Sequence, residues 1–163
     1  MAGEITRSSV LIVDDNLHML RIHEAILRAA RCRSVVAVRD PVMGLERMRQ
    51  NPFDAIIVDL NMEPIDGIEF IEMVRKATDI QTTQIPIVVC SGHSEIWRIK
   101  AARDAGCNEF VAKPVSAENL LNKLNTALSK PRHFVSEAKY KGPDRRRTGH
   151  TDREVDERRA QEH

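Results

Sequence analysis

The sequence is poor in aromatic residues, with four Phe, one Trp and one Tyr among 163 residues. It has no apolar stretch near the roughly 20 residues that a membrane-spanning helix needs, and its amino terminus lacks the apolar core of a signal peptide. Its three cysteines are odd in number and have no close metal-ligand spacing, which argues against a disulfide framework. These absences predict a soluble, cytoplasmic protein with reduced, buried cysteines.

The residues that are present favour one globular domain. Apolar residues make up 42% of the chain, and the net charge is +1. This composition supplies one core of ordinary size and leaves a non-globular remainder. We place an N-terminal extension at residues 1–7, a folded domain at 8–129 and a polar tail at 130–163.

Four apolar runs each end at polar residues. Each run is typical of a strand buried on both faces, and parallel strands place their sites outside their carboxyl ends. We therefore expect these polar residues to meet at one edge of a sheet. The runs are Val10–Val13, Ala55–Val58, Ile87–Cys90 and Phe110–Ala112, and they are followed by Asp14 with Asp15, by Asp59, by Ser91 and by Lys113.

Strand-like runs alternate with helix-like segments five times between residues 8 and 129. This alternation predicts an α/β fold in which crossover units build a parallel sheet with helices on both faces. Capping residues and prolines mark the expected helix starts. The helices are predicted to start at Asn16, at Asp40 with Pro41, at Pro64, at Ser94 or Glu95, and at Ser116; the one from Pro64 is expected to reach about Ala77.

Asp14, Asp15 and Asp59 offer the hard oxygen ligands that Mg²⁺ prefers. A carboxylate is ionised at neutral pH, so Asp59 could attack a phosphoryl group directly while a metal screens both charges. Lys113 could balance the charge and hold one phosphoryl oxygen, and the Ser91 hydroxyl could bond another. Singly, each residue could be an ordinary helix cap, turn or strand exit. Together, in this order, they favour a phosphoryl site.

The chain resembles the receiver domain of two-component response regulators over about residues 8–129. Four motifs carry the resemblance: Val10–Asp15, the segment Ile56–Met62 with Asp66-Gly67, Cys90–Gly92, and Phe110–Pro114. The resemblance implies a flavodoxin-like, doubly wound α/β fold. Its sheet would have five parallel strands in the order 2-1-3-4-5, with five helices.

The resemblance also implies roles at the acidic cluster. Asp59 would be the phosphorylated residue, and the phosphoryl donor would be a histidine kinase or a histidine phosphotransfer protein. Asp14 or Asp15, together with Asp59 and the backbone carbonyl of Asn61, would bind Mg²⁺. Glu63 separates Met62 from the proline that usually follows it directly in the family, and we expect its side chain to face solvent.

A second group of residues would transmit the signal. By the resemblance, Ser91 and Lys113 contact the phosphoryl group, and Phe110 is an aromatic switch that fills the space left when Ser91 moves. Trp97 and Ile99 fall on the helix that follows Ser91 and, with Phe110, are candidates for a partner surface. Core packing explains their apolar character equally well.

The apolar periodicity ends near Lys130, so residues 130–163 are predicted to be a disordered tail, with a solvated helix over 151–160 as an alternative. Phe134 and Tyr140 could anchor the tail to a protein groove, and Arg145–Arg147 could grip phosphate or nucleic acid. The interspersed acidic residues argue against a nucleic-acid partner.

These patterns predict a single-domain response regulator that is not an enzyme and signals through phosphorylation-dependent protein contacts. Two alternatives keep the receiver: a phosphate sink, and a receiver whose Arg-rich tail binds nucleic acid. A Mg²⁺-dependent phosphatase with Asp59 as nucleophile is disfavoured because no second acid follows two residues later. A nucleotide or flavin module would need a Gly-rich phosphate cradle, and the first strand is instead followed by Asp14–His18.

Overall fold

The computed structural model describes residues 3–92, 95–129, 133–137 and 140–145. The strands are β1 (Ser9–Val13), β2 (Ser34–Val38), β3 (Ala55–Asp59), β4 (Ile87–Ser91), β5 (Glu109–Ala112), β6 (Phe134–Glu137) and β7 (Tyr140–Pro143). The helices are α1 (Gly3–Arg7), α2 (Leu17–Ala29), α3 (Pro41–Gln50), α4 (Gly67–Arg75), α5 (Ile80–Thr83), α6 (Ile96–Ala105) and α7 (Ala117–Ser129).

The central sheet has five parallel strands in the order β2-β1-β3-β4-β5. The predicted fold class and strand order are therefore confirmed. Strand β3 lies between β1 and β4, and Val13 is in register with both Val38 of β2 and Val58 of β3. This register brings the carboxyl ends of β1 and β3 to the same edge, so the residues that end these strands become neighbours.

Alternate residues of the buried strands supply two separate cores. Leu11 and Val13 of β1 pack into one core with the apolar faces of α3, α4 and α6. Val10 and Ile12 pack into the other with α1, α2 and α7. Because side chains alternate along a strand, a continuous apolar run is what a sheet covered on both faces requires.

Side-chain caps define where most helices begin. Asn16 accepts a hydrogen bond from the Met19 amide at 3.2 Å, Asp40 accepts one from Val42 at 2.7 Å, and Ser116 accepts one from Asn119 at 3.1 Å. These three predicted starts are confirmed. The prediction for Pro64 was wrong because Asp66 caps the helix instead, accepting from the Glu69 amide at 2.8 Å, and α4 ends at Arg75.

The structure adds two short helices to the five expected. Helix α1 lies within the predicted extension at residues 1–7, where Ile5 is buried against the α2–α7 side of the sheet. Helix α5 precedes β4. No disulfide joins Cys32, Cys90 or Cys107, and Cys90 and Cys107 are buried. Among the described residues, no helix is both long and apolar enough to span a membrane.

Part of the predicted tail is ordered. Strands β6 and β7 pair in antiparallel fashion and form a hairpin that contacts the C-terminal end of α6. Gly142 and Pro143 are buried, and Arg145 pairs with Asp104 of α6 at 2.8 Å. The expectation of disorder is wrong for these residues, because Phe134 and Tyr140 find contacts on the domain itself. The alternative helix over 151–160 lies outside the described residues.

Arg75, at the end of α4, ties these elements together at the amino-terminal edge of the sheet. Its side chain is 2% exposed and donates to the carbonyl oxygens of Gly106, Thr83 and Ile85 and to Oδ1 of Asn108, at 2.7 to 3.0 Å. The hairpin covers it, with the Phe134 ring 5.8 Å from the guanidinium carbon. Burial lowers the pKa of Arg75 to about 10, which leaves it charged at neutral pH.

Candidate functional site

An acidic cluster lies at the carboxyl ends of β1 and β3. One carboxylate oxygen from each of Asp14, Asp15 and Asp59 lies within 4.8 Å of the other two. Asp14 is 1% exposed and Asp59 is 5% exposed, whereas Asp15 is open to solvent. The structure therefore brings together the three acids that the strand ends predicted, two of them withdrawn from water.

Lys113 supplies positive charge to this cluster. Its Nζ lies 3.5 Å from Oδ2 of Asp14 and 3.4 Å from Oδ1 of Asp59. These distances allow ion pairing but exceed the roughly 2.7–2.9 Å of a strong charge-assisted hydrogen bond. Among the described residues, neither of these two oxygens has a hydrogen-bond donor in place. Buried acceptors of this kind are normally satisfied, so both oxygens are positioned for a ligand.

Burial is the main influence on the pKa of the Asp59 carboxyl group. It raises the pKa of Asp59, and the neighbouring Asp14 acts in the same direction, while Lys113 and the backbone amide of Asn61 lower it. A cation placed between the acids would favour the ionised form. The burial and the neighbouring negative charge that raise the pKa of Asp59 thus make the cluster suited to a divalent cation.

Backbone contacts hold the acids in place. The Asp14 amide donates to the Val38 carbonyl at 3.1 Å, and Oδ1 of Asp14 accepts from the Asn16 amide at 2.9 Å.

Gly67 lets α4 pass directly against the chain that follows Asp59. A Cβ at position 67 would lie 2.6 Å from Cα of Leu60 and would also overlap the Asp59 carbonyl oxygen. The sequence pair Asp66-Gly67 therefore combines a helix cap with a close approach that needs glycine.

Ser91 and Phe110 lie beside the cluster on β4 and β5. Ser91 is fully buried at the end of β4, and its carbonyl accepts a hydrogen bond from the Lys113 amide at 2.9 Å. Phe110 is half-buried and packs against the core on the α4 and α6 side. Ser91 thus ends β4, Phe110 lies on the adjacent strand β5, and Lys113 directly follows β5. Their roles in signalling stay predictions.

The residues of the predicted partner surface differ in their exposure to solvent. Trp97 is 64% exposed, and the neighbouring Ile96 is 85% exposed. Ile99 is half-buried and lines a shallow groove with Lys100, and Phe110 contributes mainly to the core. The exposed apolar residues are therefore at the first turn of α6, and Ile96 belongs to them although the sequence analysis did not select it.

Two further residues near the site have no signal in the sequence. Arg98 of α6 donates from Nη2 to Oδ1 of Asn61 at 2.7 Å, which links this helix to the loop after β3. His23 of α2 is buried, and burial together with nearby Lys113 lowers its pKa to about 4, so it is neutral at neutral pH. The Arg98–Asn61 contact and the electrostatic influence of Lys113 on His23 both involve residues far apart in the chain, and no motif or periodicity reveals them.

Glu63 and Arg145 also bear on the predicted functions. Glu63 is exposed, in agreement with the expectation that it faces solvent.

Arg145 makes contacts within the domain. It forms an ion pair with Asp104, and its guanidinium carbon lies 4.5 Å from the centre of the Tyr140 ring. Arg145 is therefore occupied by intramolecular contacts. The other two arginines of the predicted nucleic-acid patch lie outside the described residues.

Comparisons with known proteins agree with this arrangement. Residues 10–125 match the family of response regulator receiver domains. The chemotaxis protein CheY-3 of Vibrio cholerae is 28% identical over 116 residues, which cover 71% of this chain and 88% of the relative.

Solved structures share the fold. The chemotaxis response regulator CheY4 of Vibrio cholerae is 27% identical with a TM-score of 0.69, covering 75% of this chain and 99% of that one. The receiver domain of the sensor histidine kinase PA1611 from Pseudomonas aeruginosa, solved with magnesium in its active-site cleft, is 22% identical with a TM-score of 0.69 over 76% of this chain and 99% of that one. With the family match covering most of the chain and the acidic cluster in place, the protein belongs to the receiver domains of two-component response regulators.

Proposed function

We propose that this receiver accepts a phosphoryl group on Asp59 and passes the signal on through protein contacts that depend on phosphorylation. One observation carries the proposal: a buried carboxylate oxygen of Asp59 lacks a hydrogen-bond donor among the described residues and faces the Lys113 ammonium at 3.4 Å. A buried acceptor beside a cation is suited to an incoming group that brings its own negative charge.

The transfer requires little from the protein beyond positioning. A carboxylate oxygen of Asp59 attacks the phosphorus of a phosphohistidine, the new O–P bond forms, and the N–P bond breaks. The electron pair of the broken bond stays on the imidazole of the donor, which takes up a proton. Lys113 compensates the negative charge of the phosphoryl oxygens, and burial of Asp59 limits access of water to the product.

The acidic cluster fits Mg²⁺. Three carboxylates gathered within 4.8 Å, two of them buried, provide oxygen ligands and excess negative charge. Asp14, Asp15, Asp59 and the backbone carbonyl of Asn61 would hold the ion. When bound, Mg²⁺ supplies charge compensation for the carboxylates and the phosphoryl oxygens.

The phosphorylated site would be read by neighbouring strands. In our proposal the Ser91 hydroxyl donates to one phosphoryl oxygen and Lys113 contacts another. Movement of Ser91 opens space that Phe110 enters, and the exposed first turn of α6, with Ile96 and Trp97, presents the result to a partner. Under this proposal the protein acts as a switch that carries its own acceptor and does not turn over a separate substrate.

Phosphoryl acceptance is tested by intact-mass measurement after incubation with acetyl phosphate and Mg²⁺. The wild type should gain one phosphoryl group that is lost at alkaline pH, and Asp59→Asn should gain none. Asp40→Asn is a matched control, because asparagine caps helices as well as aspartate does and Asp40 also follows a strand. A wild type that stays unmodified with acetyl phosphate and with a panel of phosphorylated kinases would refute the proposal.

Signalling through protein contacts has a separate readout. A partner captured by the phosphorylated protein should be lost with Asp59→Asn and retained with Asp40→Asn. Equal capture by the wild type and Asp59→Asn would show that the contacts do not depend on phosphorylation.

A further inference from the structure

The hydrogen bond between Arg98 and Asn61 connects the acceptor loop to the exposed end of α6. Asn61 is two residues after Asp59, and Arg98 is in the first turn of α6, where its amide donates to the Glu95 carbonyl at 2.9 Å. The side-chain contact of 2.7 Å therefore joins the loop that follows the acceptor to the start of a helix on another crossover unit.

Arg98 also contacts the tryptophan beside it. Its guanidinium carbon lies 5.3 Å from the centre of the Trp97 ring, within the distance of a cation–π contact. Trp97 is 64% exposed and is the only tryptophan in the sequence. A change in the position of Arg98 would therefore alter both the exposed surface of α6 and the environment of a single fluorophore.

The present arrangement satisfies Arg98 poorly. Its Nε is buried and has no acceptor among the described residues, although one Nη2 bond is good. An unpaired buried donor costs free energy, and a bond to the neutral Asn61 amide offsets only part of that cost. The free energy that holds Arg98 on Asn61 is thus small enough for a nearby ligand to offset.

A phosphoryl group on Asp59 would be such a ligand. It brings a charge of about −1.5 to −2 and strong acceptor oxygens. Guanidinium bonds to phosphoryl oxygens are charge-assisted and roughly twice as strong as neutral ones. A guanidinium also presents five donors in a rigid fork, so a donor left unpaired on Asn61 gains an acceptor on a phosphoryl group.

We propose that Arg98 is a positioning residue that carries the phosphorylation state of Asp59 from Asn61 to the first turn of α6. Arg98 binds Asn61 when Asp59 is free, and it exchanges this neutral acceptor for the charged phosphoryl group when Asp59 is modified. Ile96 and Trp97 move with the first turn. This inference rests on the proposed phosphorylation of Asp59 and adds a route by which that event reaches the helix surface.

The test follows Trp97 emission while intact mass reports phosphorylation in the same sample. Addition of acetyl phosphate and Mg²⁺ should change the emission of the wild type, and Asp59→Asn should show no change. In Arg98→Met the phosphorylation-dependent change should fall at least threefold while the mass still shows the phosphoryl group. Asn61→Ala, which keeps the backbone carbonyl, should have the same effect, and the double variant should lose no more than either single one.

Lys100→Met is the matched control, because it also removes one cation from α6 but lies on the exposed groove. It should keep the full change in emission. The inference is overturned if Arg98→Met keeps the full change, if Lys100→Met loses as much, or if the wild type is phosphorylated without any change in emission. If the wild type takes up no phosphoryl group, the proposed function fails instead, and the two failures are therefore distinguishable.

Discussion

The charged groups of Arg75 and Lys113 lie at opposite edges of the same sheet, and the groups that surround them are of opposite kinds. Arg75, at the amino-terminal edge, donates five hydrogen bonds to neutral oxygens, and within the described part of the chain no carboxylate takes part. Lys113, at the carboxyl edge, faces two buried carboxylates at the longer distances of 3.4 and 3.5 Å, and among the described residues the oxygens that it faces have no well-formed hydrogen bond.

The two charges differ in how they are compensated. Arg75 donates four hydrogen bonds to backbone carbonyls and one to the Asn108 side chain, and these bonds link α4 to α5 and to the loop before β5. Lys113 is in a region with excess negative charge and incomplete hydrogen bonding, which a bound cation or phosphoryl group would compensate. Limited exposure of a charge is therefore common to both edges, and incomplete hydrogen bonding is what distinguishes the Lys113 edge.

The largest effect is expected from Arg75→Met, which leaves the Gly106, Thr83 and Ile85 carbonyls without their donor. Buried acceptors that lose a charged partner cost several kcal/mol in total, so the free energy of unfolding should fall by about 3–5 kcal/mol in urea titration. Arg21→Met, on the exposed face of α2, should change it by less than about 0.5 kcal/mol. If Arg75→Met lowers the free energy of unfolding as little as Arg21→Met does, Arg75 does not have the structural role described above.

The next effect is stabilisation by Mg²⁺ at the Lys113 edge. A ligand that binds only the folded state at about 100 times its dissociation constant adds about 2.7 kcal/mol to the free energy of unfolding. Thermal unfolding with and without Mg²⁺ should show this gain in the wild type and in Asp40→Asn. In Asp14→Asn the gain should be largely lost because a buried ligand oxygen is removed. Equal stabilisation of Asp14→Asn would place the metal elsewhere.

A third prediction concerns the hairpin that covers Arg75. A Cβ at position 142 would meet the Tyr140 hydroxyl at 2.6 Å and Cα of Gly106 at 2.9 Å. Gly142→Ala should therefore destabilise the protein by about 1–3 kcal/mol in urea titration, as overpacking does. Gly92→Ala, where a Cβ would meet nothing within 4 Å, is the control and should be close to neutral. Equal stability of the two variants would mean that the hairpin contact contributes little.

The smallest effect is a gain in stability from Asp59→Asn in metal-free buffer. Burial raises the pKa of Asp59, so the folded protein binds this proton more tightly than the unfolded chain does. The stability of the wild type therefore decreases as pH rises from the unfolded carboxyl pKa of about 3.9 through the folded value. Above that window, Asp59→Asn should be more stable by on the order of 1 kcal/mol, as judged by urea titration.

The pH dependence provides the check on this last prediction. The advantage of Asp59→Asn should shrink as the pH approaches the ordinary carboxyl pKa, since the wild-type carboxyl then becomes protonated and neutral like the amide. Asp40→Asn should show no comparable advantage at neutral pH. A destabilised Asp59→Asn variant at neutral pH would contradict the view that the carboxylate is poorly compensated.

The sequence was sufficient to predict the sheet and the acidic cluster because both depend on local patterns. Each buried run is continuous, and the residue that ends it lies at the edge where parallel strands place their sites. Asp14, Asp59 and Lys113 are therefore close together as expected. Helix starts marked by a side-chain cap are also predictable at Asn16, Asp40 and Ser116, but the caps Asp66 of α4 and Asp79 of the short α5 are not among the predicted starts.

The remaining features depend on contacts that no local pattern encodes. Arg75 reads as an ordinary basic residue at a helix end, and its burial follows only from the way α4, α5 and the β6–β7 hairpin meet. The hairpin itself lies in a polar segment whose few apolar side chains, Phe134 among them, pack on a surface made by distant residues. Arg98 and Asn61 are likewise brought together by the fold, not by spacing.

The docked hairpin changes where this receiver can be divided or joined. The family match ends at residue 125 and α7 ends at Ser129, yet contacts with the domain continue to Arg145. A fusion or module exchange made directly after α7 would uncover Arg75 and the end of α6, whereas a junction after Arg145 keeps the described contacts together. For recombination between receivers, the practical boundary of this module is therefore the end of the hairpin and not the end of the last helix.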